Sequence, residues 1–297
     1  MTLVFVRNVV SRLRIIVALG LLAALLAGCS ALRFGYGQAP ELLFWWLDGY
    51  ADFDDTQAPR VRERIGEWFA WHRRTQLPDY AALLARAQRE VLADTSPDRA
   101  CGWFGQLRER AELAAQQALP HAAELVVTLK PAQIRHVERR YARVNEDFRR
   151  DFLDPDPARR LERAVQRATE RAEFVYGSLD ERQRALLARL VTASPFDPEA
   201  WYAERLQRQQ ETLQLMRRLS NPPADRDTAL AALRAHGERM GRSPREAYRR
   251  YQAQLETYNC SLAATLHNAT TPAQRQAAAA RFKGWEADFR ALAGSPD

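Results

Sequence analysis

Asp48, Asp52, Asp54 and Asp55 are the densest group of acids in the chain and stand beside Phe44, Trp45 and Trp46. Carboxylates this close can hold a hard cation or divide acid and base work between them. A calcium loop, however, alternates its oxygen donors about a central glycine, and no such Asp-x-Asp-x-Asp run is present. The favoured reading is a helix start, with Asp54 or Asp55 capping while the aromatics pack. Asp151, Asp154 and Asp156 in "DFLDPDP" read the same way, with Asp156 and Pro157 as N-cap and N1. The histidines are His72, His121, His136, His236 and His267; no two are four apart, so no HExxH-type metal helix exists. His72 shares a stripe with Val61, Ile65, Trp68 and Phe69 and reads as a core or boundary histidine. There is no GxSxG and no Walker loop, and "GYG" at 35 is too short to count. The expectation is a protein that binds rather than catalyses, with no metal and no cofactor.

The cysteines carry more. Arg7, Arg12 and Arg14 precede an uncharged apolar run from Ile15 to Ala27, the charged and apolar regions of a secretory signal. The run falls short of the roughly 18 residues a spanning helix needs. It ends in "LAGC", Leu26 to Cys29, which resembles a bacterial lipobox. The resemblance implies cleavage before Cys29 and acylation of that residue. Ser30, in place of Asp, then implies outer-membrane sorting with the body facing the periplasm. The expected organisation is a signal peptide over 1–28, a lipidated tether over 29–38 and one helical domain over 39–297. "LLFWWL" at 42–47 either rests on lipid headgroups or packs as the first helix, and packing is the expectation. Cys101 and Cys260 remain as an even pair in an oxidising compartment, most simply a disulfide, with two buried thiols as the alternative. Cys101 shares a face with Phe104, whereas Cys260 points toward the small face of Ala253, Ala264 and His267.

Charge narrows the partners. Three of the 44 basic residues lie in the leader and no acid does, leaving 41 against 37, or +4, over residues 29–297. So small and dispersed an excess argues against nucleic acid.

The elements that position these residues are helices. Ile134, Val137, Tyr141, Val144 and Phe148 recur by threes and fours, as do Leu161, Val165, Ala168, Ala172 and Val175, and Tyr248, Tyr251, Leu255, Tyr258 and Leu262. Each set makes one apolar stripe, so the expected fold is all-α: a single elongated bundle with antiparallel neighbours. Pro78, Pro120, Pro131, Pro198, Pro244 and Pro272 stand where helices could start, and "SPRE" at 243 reads as a capping box.

A short phrase recurs four times: "FDDTQ" at 53, "LKPAQ" at 129, "LDERQ" at 179 and "TTPAQ" at 270. With its second residue as N-cap, the Gln falls at N3. The capping pairs are Asp54 with Gln57, Lys130 with Gln133, Asp180 with Gln183, and Thr271 with Gln274. Lys130 is a poor cap, and Pro59 disturbs the first copy, whose helix is expected from Thr56. Residues 131–150 also align without gaps to 272–291, with seven identities that include Arg140/Arg281 and a shared Asp-Phe-Arg. This predicts an internal helix repeat.

"WWLDGYADFDDTQ", "AWHRRTQLPDYAALL", "LKPAQ" and "YNCSLAATLH", together with the lipobox, resemble an uncharacterised family of proteobacterial lipoproteins known as a domain of unknown function. That implies a lipoprotein address and a helical body, with no activity attached. "LKPAQ" and "LDERQ" also resemble the LTxxQ motif of the Spy/CpxP periplasmic chaperones, with Lys130 and Asp180 in place of the Thr; "TTPAQ" keeps that Thr but has Thr270 in place of Leu. Two functions follow as expectations: an envelope interaction or structural protein, and a holdase-like chaperone. The partners expected are the membrane through the lipid on Cys29, and envelope proteins or unfolded clients.

Overall fold

The computed structural model describes residues 31–294, and all regular structure among them is helical. The expected signal peptide, the lipidation at Cys29 and the sorting residue Ser30 lie outside the described residues. In chain order come α1 (Ala31–Ala51), α2 (Ala58–Trp71), a π-turn (His72–Gln76), α3 (Leu77–Glu90), α4 (Pro97–Val126) and α5 (Pro131–Phe152). There follow α6 (Pro157–Tyr176), α7 (Glu181–Thr192), α8 (Pro198–Ser220), α9 (Arg226–Gly241), α10 (Glu246–Asn268) and α11 (Pro272–Gly294). Neighbouring helices pack antiparallel. No described helix is long and apolar enough to cross a membrane.

Local chemistry explains most helix starts. Ser96, Asp156, Asp197 and Asp225 accept backbone N–H groups as N-caps of α4, α6, α8 and α9. Pro131, Pro198 and Pro272 open helices, where a missing N–H costs nothing. Pro120 instead lies inside α4. Pro78 follows the π-turn, where the Leu77 N–H reaches back to His72 O; the widened turn passes the chain into α3 without a break. The box read in "SPRE" does not form. Ser243 is fully buried and its hydroxyl accepts the Arg245 N–H at 3.2 Å rather than that of Glu246, whose side chain turns outward to Arg250. The helix of the first phrase begins at Ala58 rather than Thr56. Ala58 N–H already bonds Asp54 O at 2.9 Å as in a first turn, but Pro59 has no N–H with which to continue it.

The segment read as a tether over 29–38 is helical from Ala31 onward. Tertiary contacts override its two glycines: Arg33 pairs with Asp288 at 3.0 Å, and the Tyr36 hydroxyl bonds His72 Nδ1 at 2.9 Å. Three apolar cores hold the helices. Val126, Ile134, Val137, Leu213 and Leu219 join α4, α5 and α8; Ala172, Leu187 and Leu266 join α6, α7 and α10; Phe44, Val61 and Ile65 join α1 and α2. A disulfide links Cys101 of α4 to Cys260 of α10, with Cα atoms 5.2 Å apart and Ala100 and Ala264 packed around it.

Candidate functional site

The four glutamines do more than cap their own helices: they meet in two pairs. Gln57 and Gln133 exchange side-chain amide bonds at 3.3 and 2.6 Å, and Gln183 and Gln274 do so at 2.7 and 2.9 Å. Each Oε1 also accepts the N–H of its own cap residue, at 3.3 Å from Asp54, 2.9 Å from Lys130, 3.0 Å from Asp180 and 2.9 Å from Thr271. Each Nε2 donates in addition to a carbonyl of the opposite segment. The acceptors are Thr128, Asp52, Ala269 and Ser178, for Gln57, Gln133, Gln183 and Gln274 in turn, at 2.9–3.0 Å. Every one of these carbonyls lies two residues before the partner's cap. The two junctions therefore share one wiring, near-twofold within each pair.

The helices around them correspond as well. α1 and α2 flank one phrase and α4 and α5 its partner, as α6 and α7 do for the third and α10 and α11 for the fourth. Arg140 of α5 stands over the Tyr50 ring of α1 at 5.3 Å, and Arg281 of α11 stands over the Phe174 ring of α6 at 5.7 Å. The repeat predicted between α5 and α11 thus belongs to a larger one, a four-helix unit present twice. The disulfide joins α4 of one unit to its counterpart α10 of the other.

Several of the aspartates read as metal or acid–base candidates cap backbone N–H groups or pair with arginines. Asp48 accepts the Phe53 N–H at 2.9 Å, Asp54 caps Thr56 and Gln57, and Asp154 pairs with Arg159 and Arg163. No group of three or more His, Cys, Asp or Glu among the described residues is arranged to hold a metal. His72 stacks on Trp68 at 4.9 Å, and burial lowers its pKa. His267 is fixed between the Tyr176 hydroxyl and the Ala93 carbonyl, both at 2.8 Å.

A cleft of about 2440 Å³ opens between α4, α6, α9 and α10. Two of the three stripes that the periodicity assigns to the core also line it: Leu161, Ala168, Ala172 and Val175 from α6, and Tyr248, Tyr251, Leu255 and Leu262 from α10, with Ala172 itself buried and Ala168 and Leu262 packed against the same core. The α5 stripe is the one that is mostly buried, through Ile134, Val137 and Phe148. Sequence periodicity finds the stripes but cannot tell which ones find a covering helix. Phe104 and Leu119 of α4, with Phe196 and Trp201, extend the apolar lining.

Arginines are set among these apolar residues. Arg167 lies 4.5 Å from the Phe152 ring, and its pKa is lowered by desolvation and by the neighbouring Arg171. Arg108 pairs with Glu256 across the cleft between α4 and α10. The start of α10 is fixed to α8 by Arg245, which grips the buried Glu204 at 2.5 and 2.8 Å. Burial pushes the Glu204 carboxyl up, but hydrogen bonds from Arg245, Arg208 and Ser243 outweigh it and hold the pKa at about 2.

Fold and site together define an all-α protein with a doubled four-helix unit and an open amphipathic cleft. The chain belongs to the Family of unknown function (DUF6279), whose profile matches residues 49–242. No curated protein matches the chain. No solved structure matches it either.

Proposed function

We propose that this chain is a lipid-anchored binding protein of the bacterial outer membrane, facing the periplasm, whose cleft holds extended stretches of unfolded polypeptide. The observation that carries the reading is the cleft. Its volume of about 2440 Å³ exceeds the roughly 300–1,000 Å³ of a small-molecule site. Two facing apolar stripes accept side chains without regard to order, and the arginines between them can hold backbone carbonyls and acidic side chains. "LKPAQ" and "LDERQ", similar to the LTxxQ motif, with "TTPAQ" as a partial match, support kinship with Spy/CpxP chaperones; the "LAGC" stretch supports the address. Asp48, Asp54, Asp154, His72 and His267 each make a structural contact, which fits a binding role.

The test uses the Cys29→Ser chain made without the leader residues 1–28, so that neither acyl group nor uncleaved signal holds it to a membrane. At near-equal ratio it should slow the aggregation of several unrelated unfolding clients, and Leu161→Glu with Leu255→Glu should weaken that effect. No slowing for any client would overturn the holdase reading. Saturable binding of a single folded envelope protein would favour an interaction or structural role instead.

A further inference from the structure

One surface lies apart from the cleft. α1 packs on α2 through Leu43, Phe44 and Leu47 and meets α5 through Tyr50, whose ring lies 6.1 Å from that of Tyr141; Phe44 is only 4% exposed. The opposite side of the same helix is not covered. Phe34, Leu42, Trp45 and Trp46 are 71%, 62%, 61% and 57% exposed, which makes them four of the five most exposed large apolar side chains among the described residues. The expectation that "LLFWWL" packs inward therefore holds for half of it and fails for Leu42, Trp45 and Trp46. On a helix these four residues fall within about a third of the circumference. The remaining exposed positions on that arc are Ala31, Gly35, Gln38 and Gly49, none of them charged. Glu41, at its edge, is paired with Arg62.

We infer that this face of α1 is a membrane-docking surface that lies in the headgroup layer of a phospholipid bilayer. The inference rests on the lipoprotein reading, because the argument for the occupant is position. Cys29 is two residues before the first residue of α1, so an acylated Cys29 leaves no slack in which the helix could stand away from the lipid. A large uncovered apolar patch marks a contact surface, and tryptophan is the side chain that favours the membrane–water boundary. A helix with an uncharged aromatic side and a packed opposite side lies flat in that boundary and does not span it. The surface sets the orientation of the body, whereas the acyl chains only retain it.

The test is tryptophan quenching by brominated phospholipid, using the full mature chain in vesicles of phosphatidylethanolamine and phosphatidylglycerol. The emission of Trp45 and Trp46, isolated as the difference from a Trp45→Gln/Trp46→Gln variant, should be strongly quenched in the wild-type chain. Helical circular dichroism controls for the folding of the variant, whose changes lie on the surface. In the Cys29→Ser chain, vesicle partitioning should fall by roughly tenfold or more when Leu42, Trp45 and Trp46 are all changed to Gln. A chain that pellets with vesicles but shows no quenching would overturn the docking surface and spare the anchor. A mature chain that does not pellet would overturn both. Quenching by Cys29→Ser protein that pellets equally well would support the surface and count against the anchor. A dimer in which Trp45 is shielded from lipid would overturn the surface in favour of a second copy.

Discussion

The Gln57–Gln133 and Gln183–Gln274 junctions have the same hydrogen-bond wiring but different caps. In the second, Asp180 and Thr271 each accept the N–H of their own Gln, at 2.8 and 3.2 Å. In the first, Asp54 caps in that way while Lys130, which has no acceptor, reaches across to the Asp54 carboxylate at 2.8 Å. The amide pair is kept in both junctions and the cap is not. This identifies the glutamine as the residue the architecture needs: in both junctions it satisfies backbone groups on both segments at once, whereas a cap serves the backbone of one helix. Gln57, Gln133 and Gln183 are buried, so their amides have no water to turn to if a partner is lost.

The largest expected effect concerns the link between the two units. Reduction of Cys101–Cys260, which closes a separation of 159 residues, should cost about 3–5 kcal/mol on chain-entropy grounds. Calorimetry of the reduced protein should then resolve two transitions where the oxidised protein shows one. A single unchanged transition would mean that the duplicated units are not separate cooperative bodies.

Next come the glutamines. Gln183→Ala strands the Asp180 N–H, the Ala269 carbonyl and the Gln274 amide, so it should cost about 2–4 kcal/mol rather than the ~1 kcal/mol of a lost cap. Gln133→Ala should cost a similar amount if the junctions are equivalent. Urea denaturation of Gln183→Ala, Gln274→Ala and the double variant should show strong non-additivity, since the second change removes a partner already lost. Additive costs would break the comparison.

The caps should matter less. Asp180→Ala should cost on the order of 1 kcal/mol. Lys130→Ala should cost under about 1 kcal/mol and lose its effect at high salt, because the Lys130–Asp54 pair is exposed. Acid gives a finer contrast. The Lys130 ammonium, with the Thr56 hydroxyl, holds the Asp54 carboxyl well below the usual range. A depressed folded-state pKa contributes stability that is present above the unfolded value of about 4 and lost as pH falls below it. Asp54→Asn should therefore flatten the acid limb of a stability–pH curve, and an unchanged limb would remove Asp54 from the account.

Much of this was legible in the sequence. The all-α fold, the Asp156–Pro157 start of α6 and the N3 positions of Gln133, Gln183 and Gln274 follow from local periodicity and capping, in which a residue answers only to neighbours three or four positions away. The pairing of glutamines did not follow, although the phrase recurs an even number of times. Nothing local marks a carbonyl two residues before a distant cap as an acceptor. The cleft was hidden for a related reason: the stripe of Tyr248, Tyr251 and Leu255 has the same period as that of Ile134 and Val137, and only the tertiary arrangement leaves the first partly open. The long π-turned run from α2 into α3 was missed because Pro78 reads locally as a start.

The claim that the cleft is a polypeptide-binding surface is tested most directly by site-specific photo-crosslinking to a permanently unfolded, reduced and carboxymethylated client. A probe at Leu255 lies in the cleft, whereas one at Leu206, also on the surface, does not line it. The account predicts saturable crosslinks from position 255 that competing unfolded chain removes, and few from position 206. Equal labelling from both positions, or none from position 255, would contradict it.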